Sequence, residues 1–223
     1  MSERDHIFTR IHEALSVAAP KPGGHAHGPP PTHRTLAEVL PATGTTFEQH
    51  VELFRRNALE LKADFILVAN ADELAAQLVR LRDAEGWKRI AAHAGGLTDA
   101  ACRTLGLPML LVDGTHDVNA LETCDAGLTE CDALIAQTGS VLVTSRSAGG
   151  RALSVLPPHH VVLARRDQLV PGLPDAFALL KARYGANYPS MISFITGPSR
   201  TGDIERILVL GAHGPKKLTI FCV

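Results

Sequence analysis

Short apolar runs alternate with amphipathic helical patterns along the first half of this chain, and no other feature of the sequence constrains its fold as strongly. The runs DFILVA (64–69), KRIAAH (88–93) and PMLLVD (108–113) are predicted strands. Apolar strands that alternate with helices are typical of a parallel sheet with both faces covered. We therefore expect an α/β fold with a mostly parallel sheet.

Capping signals place helices between these strands. Thr46 and Gln49 have the spacing of a capping box, which predicts a helix that ends near residue 62. Asn70 is the predicted N-cap of a second helix, and Gly86 is its predicted stop. A third, shorter helix is predicted over 98–106.

The N-terminal part is predicted to stand apart from the rest of the chain. A helix predicted over 2–18 is followed by a Pro/Gly-rich linker that contains three histidines. We interpret this linker as flexible and solvated, with adventitious metal binding as the alternative. The predicted organisation is an N-terminal helix and linker over 1–33 and a single α/β domain over 34–223.

Charge and cysteine spacing argue against several classes of function. The net charge of −1 lacks the basic excess of a nucleic-acid-binding protein. No apolar run reaches the roughly 18 residues that span a bilayer. The charged N-terminus does not resemble a secretory signal, so a cytoplasmic protein is expected. The four cysteines form no C-x-x-C pair, which favours packed thiols over a zinc or iron–sulfur site.

Gly, Pro, Ser and Thr gather at predicted strand ends in the second half, where open α/β sheets bind ligands. The segment TGPSRTGDIE turns at Gly197, and Ser199 or Thr201 can cap a short helix that follows. Free N–H groups there would bind an anion together with Arg200, although Asp203 disfavours one. The alternative is an ordinary capped turn with a surface arginine.

The segment GAHGP places His213 in a tight loop near the end of the sequence. A histidine in such a loop can donate or accept a proton near neutral pH, so His213 is the candidate acid/base residue. Gly214 is expected to have a positive φ angle, which a β-branched residue tolerates poorly. The alternative is a histidine that fixes the loop through a hydrogen bond to a carbonyl group.

Two further segments carry candidate ligand-binding residues. AQTGSVLV presents Gln137, Thr138, Gly139 and Ser140, with a β-bulge or a strand-to-strand break as the alternative. In LPPHHVVL, neighbouring side chains on a strand face opposite ways, so at most one histidine points into any given site. His159 is the candidate. A zinc site would need another ligand nearby, and none can be placed, so no bound metal is expected.

Several arginines of the second half also lie near predicted strand ends. They are Arg146, Arg151, Arg165, Arg166 and Arg200. If several of them converge, they favour an acidic ligand or an acidic partner. The alternative is a scatter of unrelated surface arginines.

The runs LTECDALIAQTGSVLV, LPPHHVVLARRDQLVP and ITGPSRTGDIERILVLGAHGPKKL resemble the LUD-domain family, in its lactate utilization protein C branch. The resemblance is specific in its motifs over about 125–223 and extends in pattern over 46–124. It implies a three-layer α/β/α sandwich with a mostly parallel sheet, similar to the ribose-5-phosphate isomerase and CoA-transferase superfamily.

The resemblance also implies a role as an accessory component of a three-protein system that oxidises L-lactate to pyruvate. Iron–sulfur clusters would belong to the partner subunits, with no cofactor in this chain. A small carboxylate or phosphate ligand, or a partner, would bind near Thr138–Ser140, Gly197–Thr201 and His213. We expect these three loops to share one pocket, and we also consider a homo-oligomer.

An alternative function is a stand-alone, isomerase- or transferase-like enzyme that acts on a phosphorylated or carboxylated small molecule, with Arg200 as its anion clamp. One difference from the family argues against acyl transfer as the reaction. The family commonly has a glutamate where this chain has Gln137. An amide cannot act as the covalent nucleophile of CoA-transferase-like folds, although Gln137 can still hydrogen-bond a substrate.

Overall fold

The computed structural model describes residues 3–16, 41–112, 118–201, 209–211 and 213–223. The linker predicted to end at residue 33, the helix predicted to follow Thr201, and Asp203 lie outside the described residues. The chain divides into two compact units, Met1–Leu40 and Pro41–Val223.

The described part of the N-terminal unit is a helix, α1 (Glu3–Ser16), which confirms the helix predicted there. Its apolar side chains are exposed: Ile7, Phe8, Ile11 and Leu15. The guanidinium of Arg4 lies 5.5 Å from the centre of the Phe8 ring. The apolar stripe that the sequence predicts is therefore present on the helix.

A six-stranded parallel sheet forms the centre of the second unit. Its strands are β1 (Asp64–Leu67), β2 (Ile90–Ala92), β3 (Met109–Leu111), β4 (Ala126–Glu130), β7 (His159–Ala164) and β12 (Lys217–Cys222). The order is β1-β12-β7-β4-β2-β3, and every neighbouring pair is parallel. The predicted α/β class with a mostly parallel sheet is confirmed.

This unit contains four α-helices in the described residues, and two of them show the capping contacts that the sequence predicts. The four helices are α2 (Phe47–Glu60), α3 (Ala71–Glu85), α4 (Gly96–Leu105) and α5 (Leu173–Tyr184). The Thr46 hydroxyl accepts from the Gln49 amide, and the Gln49 side chain accepts from the Thr46 amide, so the predicted capping box is confirmed. The Asn70 side chain caps α3, and Gly86 ends it in the left-handed conformation with φ of 67°.

The second half of the chain forms a further sheet that the sequence does not predict. Its strands are β5 (Ala133–Ile135), β6 (Ser140–Thr144), β8 (Leu169–Val170) and β9 (Ile192–Ile195), in the order β8-β5-β6-β9. β6 pairs antiparallel with both of its neighbours, and β5 pairs parallel with β8. Beyond it, β10 (Arg200–Thr201) and β11 (Val209–Leu210) form a short antiparallel ribbon.

Apolar side chains cover the parallel sheet on both faces. On one face, Leu78 of α3 and Leu105 of α4 pack with Phe221 of β12. On the other face, Phe54 of α2 packs with residues of β5, β6, β7 and β12, such as Ile220. The outer face of the second sheet is covered by α5. Within the described ranges, no helix is both long and apolar enough to cross a membrane.

Candidate functional site

His159 and His160 begin β7 and face opposite sides of the parallel sheet, as the alternation of a strand requires. The Nε2 atom of His159 lies 2.9 Å from the Thr219 hydroxyl, and its ring meets Trp87 edge-on at 5.2 Å between centres. Trp87 belongs to the cluster that packs under α3 and α4. His159, the histidine chosen from the sequence, is therefore a core residue, and His160 faces the side where the candidate loops lie.

A cavity of about 220 Å³ opens on that side. Two loops that are far apart in sequence form much of its wall, one around Ser199 and one around His213, and His160 also lines it. The remaining wall is largely apolar and includes Met191, Ile195 and Leu218. We call this space the loop cavity.

Backbone contacts hold the two loops together. The Ser199 amide donates to the Pro215 carbonyl at 2.9 Å, and the Gly211 amide donates to the Ser199 carbonyl at 2.8 Å. Gly197 turns the first loop with φ of 83°, and a Cβ atom there would lie 2.7 Å from the Leu61 carbonyl oxygen. Only glycine fits both the conformation and the space at this position.

His160 is a buried, neutral histidine with one nitrogen that lacks a hydrogen-bond partner among the described residues. Its Nε2 atom lies 2.9 Å from the Thr129 hydroxyl, while its Nδ1 atom has no hydrogen-bond partner among the described residues. Burial, with a smaller effect of His159, lowers the pKa of His160 to about 3, so the ring is neutral at physiological pH. A buried polar atom without a partner costs about 1–3 kcal/mol. A ligand that hydrogen-bonds to Nδ1 would recover that free energy.

Three other candidate residues of these two loops, His213, Arg200 and Gly214, differ in their relation to the loop cavity. His213 is exposed at the cavity wall. Arg200 is exposed on β10, where its Nη2 atom donates to the Thr196 carbonyl at 3.5 Å, and it does not line the loop cavity. The expectation of a positive φ at Gly214 is wrong, because its φ lies outside that region. Gly214 is restricted by space instead, since a Cβ atom there would lie 3.1 Å from the Cβ of Ser199.

The Gln137–Ser140 segment is the turn between β5 and β6, which is the strand-to-strand break rather than a bulge. It packs on α2, because the Asn57 side chain donates to the Ala136 and Gln137 carbonyls at 2.8 and 3.0 Å. The Gln137 side chain donates to the Pro41 carbonyl at 2.9 Å. Gln137, Thr138 and Gly139 do not line the loop cavity. Ser140 reaches its edge through a 2.8 Å contact with the Thr196 hydroxyl.

A second pocket, of about 330 Å³, lies just beyond the carboxyl ends of β2, β4 and β7. Its ionisable or polar lining consists of His93, Glu130, Cys131, Asp132, Arg146, Ser147, Arg165, Gln168, Arg183 and Tyr184. We call it the strand-end cleft. The sequence indicates Arg146 and Arg165 as candidates but does not predict the cleft. The two closely spaced carboxylates of the ECD segment (130–132) were a signal that could have indicated it.

Asp132 is the most buried charged residue of the cleft, with no exposed surface. One of its oxygens, Oδ1, accepts from the Arg183 guanidinium and from the Tyr184 hydroxyl, both at 2.6 Å. Burial, followed by the hydrogen bond to Asp132, raises the pKa of Tyr184, which keeps its hydroxyl a donor. The other oxygen, Oδ2, has no partner among the described residues.

Hydrogen bonds also fix Glu130 and His93 in the lining of the cleft. The Glu130 carboxylate accepts from the Leu97 amide at 2.7 Å at the start of α4. The Glu130 amide donates to Nε2 of His93, and Nδ1 of His93 lies 2.9 Å from the Ala94 carbonyl, which together require the neutral ring with its proton on Nδ1. Arg165 lies 3.6 Å from Glu130, which is a loose ion pair.

Neither pocket has the geometry of a metal centre. Within the ranges that the structure describes, no group of three or more His, Cys, Asp or Glu side chains is arranged to hold a metal ion. The predicted packed thiols agree with the burial of Cys124, Cys131 and Cys222. Burial also raises the pKa of Cys131, which disfavours the thiolate that metals bind.

Comparison with known proteins places this geometry in a wider context. Residues 112–223, just over half of the chain, match the model of the LUD domain. Proteins named lactate utilization protein C are similar: that of Anoxybacillus flavithermus is 33% identical over 148 residues, covering 60% of this chain and 66% of the relative. That of Halalkalibacterium halodurans is 38% identical over 105 residues, covering 46% of each chain. The chain thus spans less than two thirds of the length of these curated relatives.

A solved structure is also similar over most of the chain. It is a DUF162 family protein from Deinococcus radiodurans, with a TM-score of 0.65 and 25% sequence identity. The similarity covers 81% of this chain and 99% of that protein. The overall fold of this chain is therefore similar to that of a crystallised protein.

Proposed function

This chain belongs to the LUD-domain family, and on that premise we propose that it acts in lactate utilization, as an accessory component that binds a small carboxylate in the loop cavity. Its relatives share the name lactate utilization protein C, and this name supports a role in lactate utilization. The chain spans less than two thirds of the length of those relatives. A role in the same process as the full-length relatives is therefore proposed for this chain.

The observation that carries the ligand site is that His160, whose buried Nδ1 atom has no hydrogen-bond partner among the described residues, lines a cavity formed by two loops that are far apart in sequence. A neutral imidazole can donate one hydrogen bond to a carboxylate or keto oxygen when the Thr129 hydroxyl donates to its other nitrogen. The apolar wall around it suits the methyl group of a molecule such as lactate or pyruvate. Burial of that methyl group and the recovered hydrogen bond would supply the affinity.

We further propose that oxidation itself takes place on partner proteins that carry iron–sulfur clusters. The four cysteines of this chain form no C-x-x-C pair, and burial raises the pKa of all four thiols. Thiols that stay protonated are poor cluster ligands. Two-electron oxidation of a 2-hydroxy acid needs an electron acceptor, so an accessory subunit of this composition would act together with a redox partner.

Affinity purification of the tagged chain from its own host, grown on L-lactate, tests the partner proposal. We expect co-purifying proteins with the visible absorbance of iron–sulfur clusters, and we expect the isolated chain to show no turnover. Turnover of a sugar phosphate or an acyl-CoA by the isolated chain would instead establish the stand-alone enzyme.

Calorimetric titration with L-lactate and pyruvate tests the ligand site. His160→Phe keeps a flat ring but removes the nitrogen, so we expect it to weaken binding about tenfold or more. Arg200→Ala, at an exposed position outside the cavity lining, is the matched control and should bind like the wild type. Equal affinity of the wild type and His160→Phe would refute the loop cavity as the site.

A further inference from the structure

We infer that the strand-end cleft is a separate binding site for a small hydroxy acid, a molecule that carries a hydroxyl group beside a carboxylate. The inference does not depend on a ligand in the loop cavity, because the two pockets share no lining residue. It rests on three features of the cleft: a buried acceptor without a partner, guanidinium groups that are not fully neutralised, and a position at the carboxyl ends of parallel strands.

The buried acceptor is Oδ2 of Asp132. The Arg183 and Tyr184 donors both bind Oδ1, and together they hold the carboxylate in one orientation. Oδ2 is left without a partner within the described residues although the side chain has no exposed surface and lines the cleft. A ligand that fits here must bring a hydrogen-bond donor.

The guanidinium groups of the cleft indicate that the ligand also carries an anionic group. The cleft contains three arginines against two carboxylates. Arg183 pairs closely with Asp132, and Arg165 pairs loosely with Glu130 at 3.6 Å. Arg146 donates to the Asn187 side chain at 3.1 Å and lies over the Tyr184 ring, without a carboxylate in reach among the described residues. An anionic group between Arg146 and Arg165 would complete the charge balance of the cleft.

A hydroxyl donor suits this cleft better than an ammonium donor. An ammonium group would bind Asp132 but would be repelled by the three guanidinium groups around it. A hydroxyl donates the same hydrogen bond without adding positive charge, and the neighbouring carboxylate meets the arginines. A keto acid of the same size offers the carboxylate but places an acceptor oxygen against the acceptor Oδ2, so it should bind more weakly.

The location agrees with this assignment. His93 follows β2, Glu130 ends β4 and Arg165 follows β7, which are neighbouring strands of the parallel sheet. Ligands of open α/β sheets bind in crevices outside these carboxyl ends. Glu130 caps the start of α4 and Gln168 donates to the Cys131 carbonyl at 2.6 Å, so hydrogen bonds to backbone groups fix parts of the cleft wall.

The test compares L-lactate with pyruvate, and glycolate with glyoxylate, by calorimetric titration of the full chain. Each pair differs only in a hydroxyl or a carbonyl group beside the carboxylate. We expect the hydroxy acid of each pair to bind at least about tenfold more tightly. Asp132→Asn presents an amide donor where Oδ2 stood, so the preference for the hydroxy acid should disappear or reverse.

Arg146→Gln removes an exposed guanidinium group and none of the donors to Asp132, which are Arg183 and Tyr184. It should weaken the binding of both members of each pair by about tenfold. Arg151→Gln is its matched control: Arg151 is exposed in the same turn region, donates to the Ser190 carbonyl at 2.8 Å and does not line the cleft. It should bind like the wild type.

Three outcomes overturn the inference: no binding of either hydroxy acid, equal binding of hydroxy and keto acids, or binding unaffected by Arg146→Gln. If His160→Phe abolishes L-lactate binding while Arg146→Gln leaves it intact, the loop cavity is the site and the cleft inference fails. If the reverse holds, the cleft inference stands and the proposed loop-cavity site fails.

Discussion

Gly214 lies against Ser199 so closely that a Cβ atom at Gly214 would be 3.1 Å from the Cβ of Ser199. These two residues belong to the two loops that enclose the loop cavity, and backbone hydrogen bonds to both sides of Ser199 hold the loops at this distance. The spacing of the loops therefore depends on the absence of a side chain at one position.

Gly214→Val should force the two loops apart. We expect a loss of about 1–3 kcal/mol in the free energy of unfolding, typical of overpacking, together with weaker binding in the loop cavity. Urea denaturation and calorimetric titration measure the two effects. Gly96→Ala is a control in the first turn of α4, where a Cβ atom would be in ordinary contact at 3.4 Å, and it should not destabilise the protein. A Gly214→Val variant as stable as the wild type would show that the loops can separate freely.

Stability should fall as the pH drops below neutral, because two buried histidines resist protonation. Burial lowers the pKa of His159 from 6.5 to about 4 and that of His160 from 6.5 to about 3. Between these values and 6.5 the unfolded chain binds more protons than the folded chain, so acid favours unfolding. At pH 5 each histidine should cost about 2 kcal/mol relative to pH 8.

Urea denaturation over a series of pH values measures this effect. His160→Phe should flatten the slope of stability against pH below 6.5, even if its stability at pH 8 is lower. An unchanged slope in His160→Phe would mean that burial does not lower the pKa of His160 below its value in the unfolded chain.

Tyr184→Phe should destabilise the protein by about 1–2 kcal/mol, because the buried Asp132 then loses one of the two donors to its Oδ1 atom. Thermal and urea denaturation measure the loss. Tyr188→Phe is the matched control, since Tyr188 is exposed. Equal stability of the two variants would show that the hydroxyl of Tyr184 adds nothing to the network.

The thiols should react slowly with a disulfide reagent in the folded protein. Burial raises the pKa of Cys102 and of Cys222 from 9.0 to about 11, which lowers the thiolate fraction about a hundredfold. Cys102 is partly exposed and should react first, so Cys102→Ser should remove the fastest phase. Reaction of the native protein as fast as that of the urea-unfolded chain would contradict this expectation.

The parts of the fold that could be predicted from the sequence are those that depend on residues close together in the chain. The capping box of Thr46 and Gln49, the Asn70 cap and the Gly86 stop are contacts between residues a few positions apart, so their spacing alone identifies them. The parallel sheet also follows from a local pattern, because strands buried on both faces are apolar throughout.

The second sheet and the strand-end cleft could not be predicted in the same way. β6 pairs with β9, about fifty residues further along, and Asp132 meets Arg183 at a similar separation. No spacing rule links such positions. The sequence could not decide between His159 and His160 for the same reason. The alternation of a strand shows that the two side chains face opposite sides of the sheet, but it does not show which side carries the loops.

The place of β12 in the parallel sheet has a consequence for synthesis. β12 follows every other described strand in the chain, yet it lies between β1 and β7 and is the strand that joins β1 to the sheet. On the ribosome, β1 emerges early and must wait without its neighbour until β12 has been made. The nascent protein therefore holds β1 without its β12 neighbour while residues 68–216 are being made, which is the interval in which a chaperone would protect this strand from aggregation.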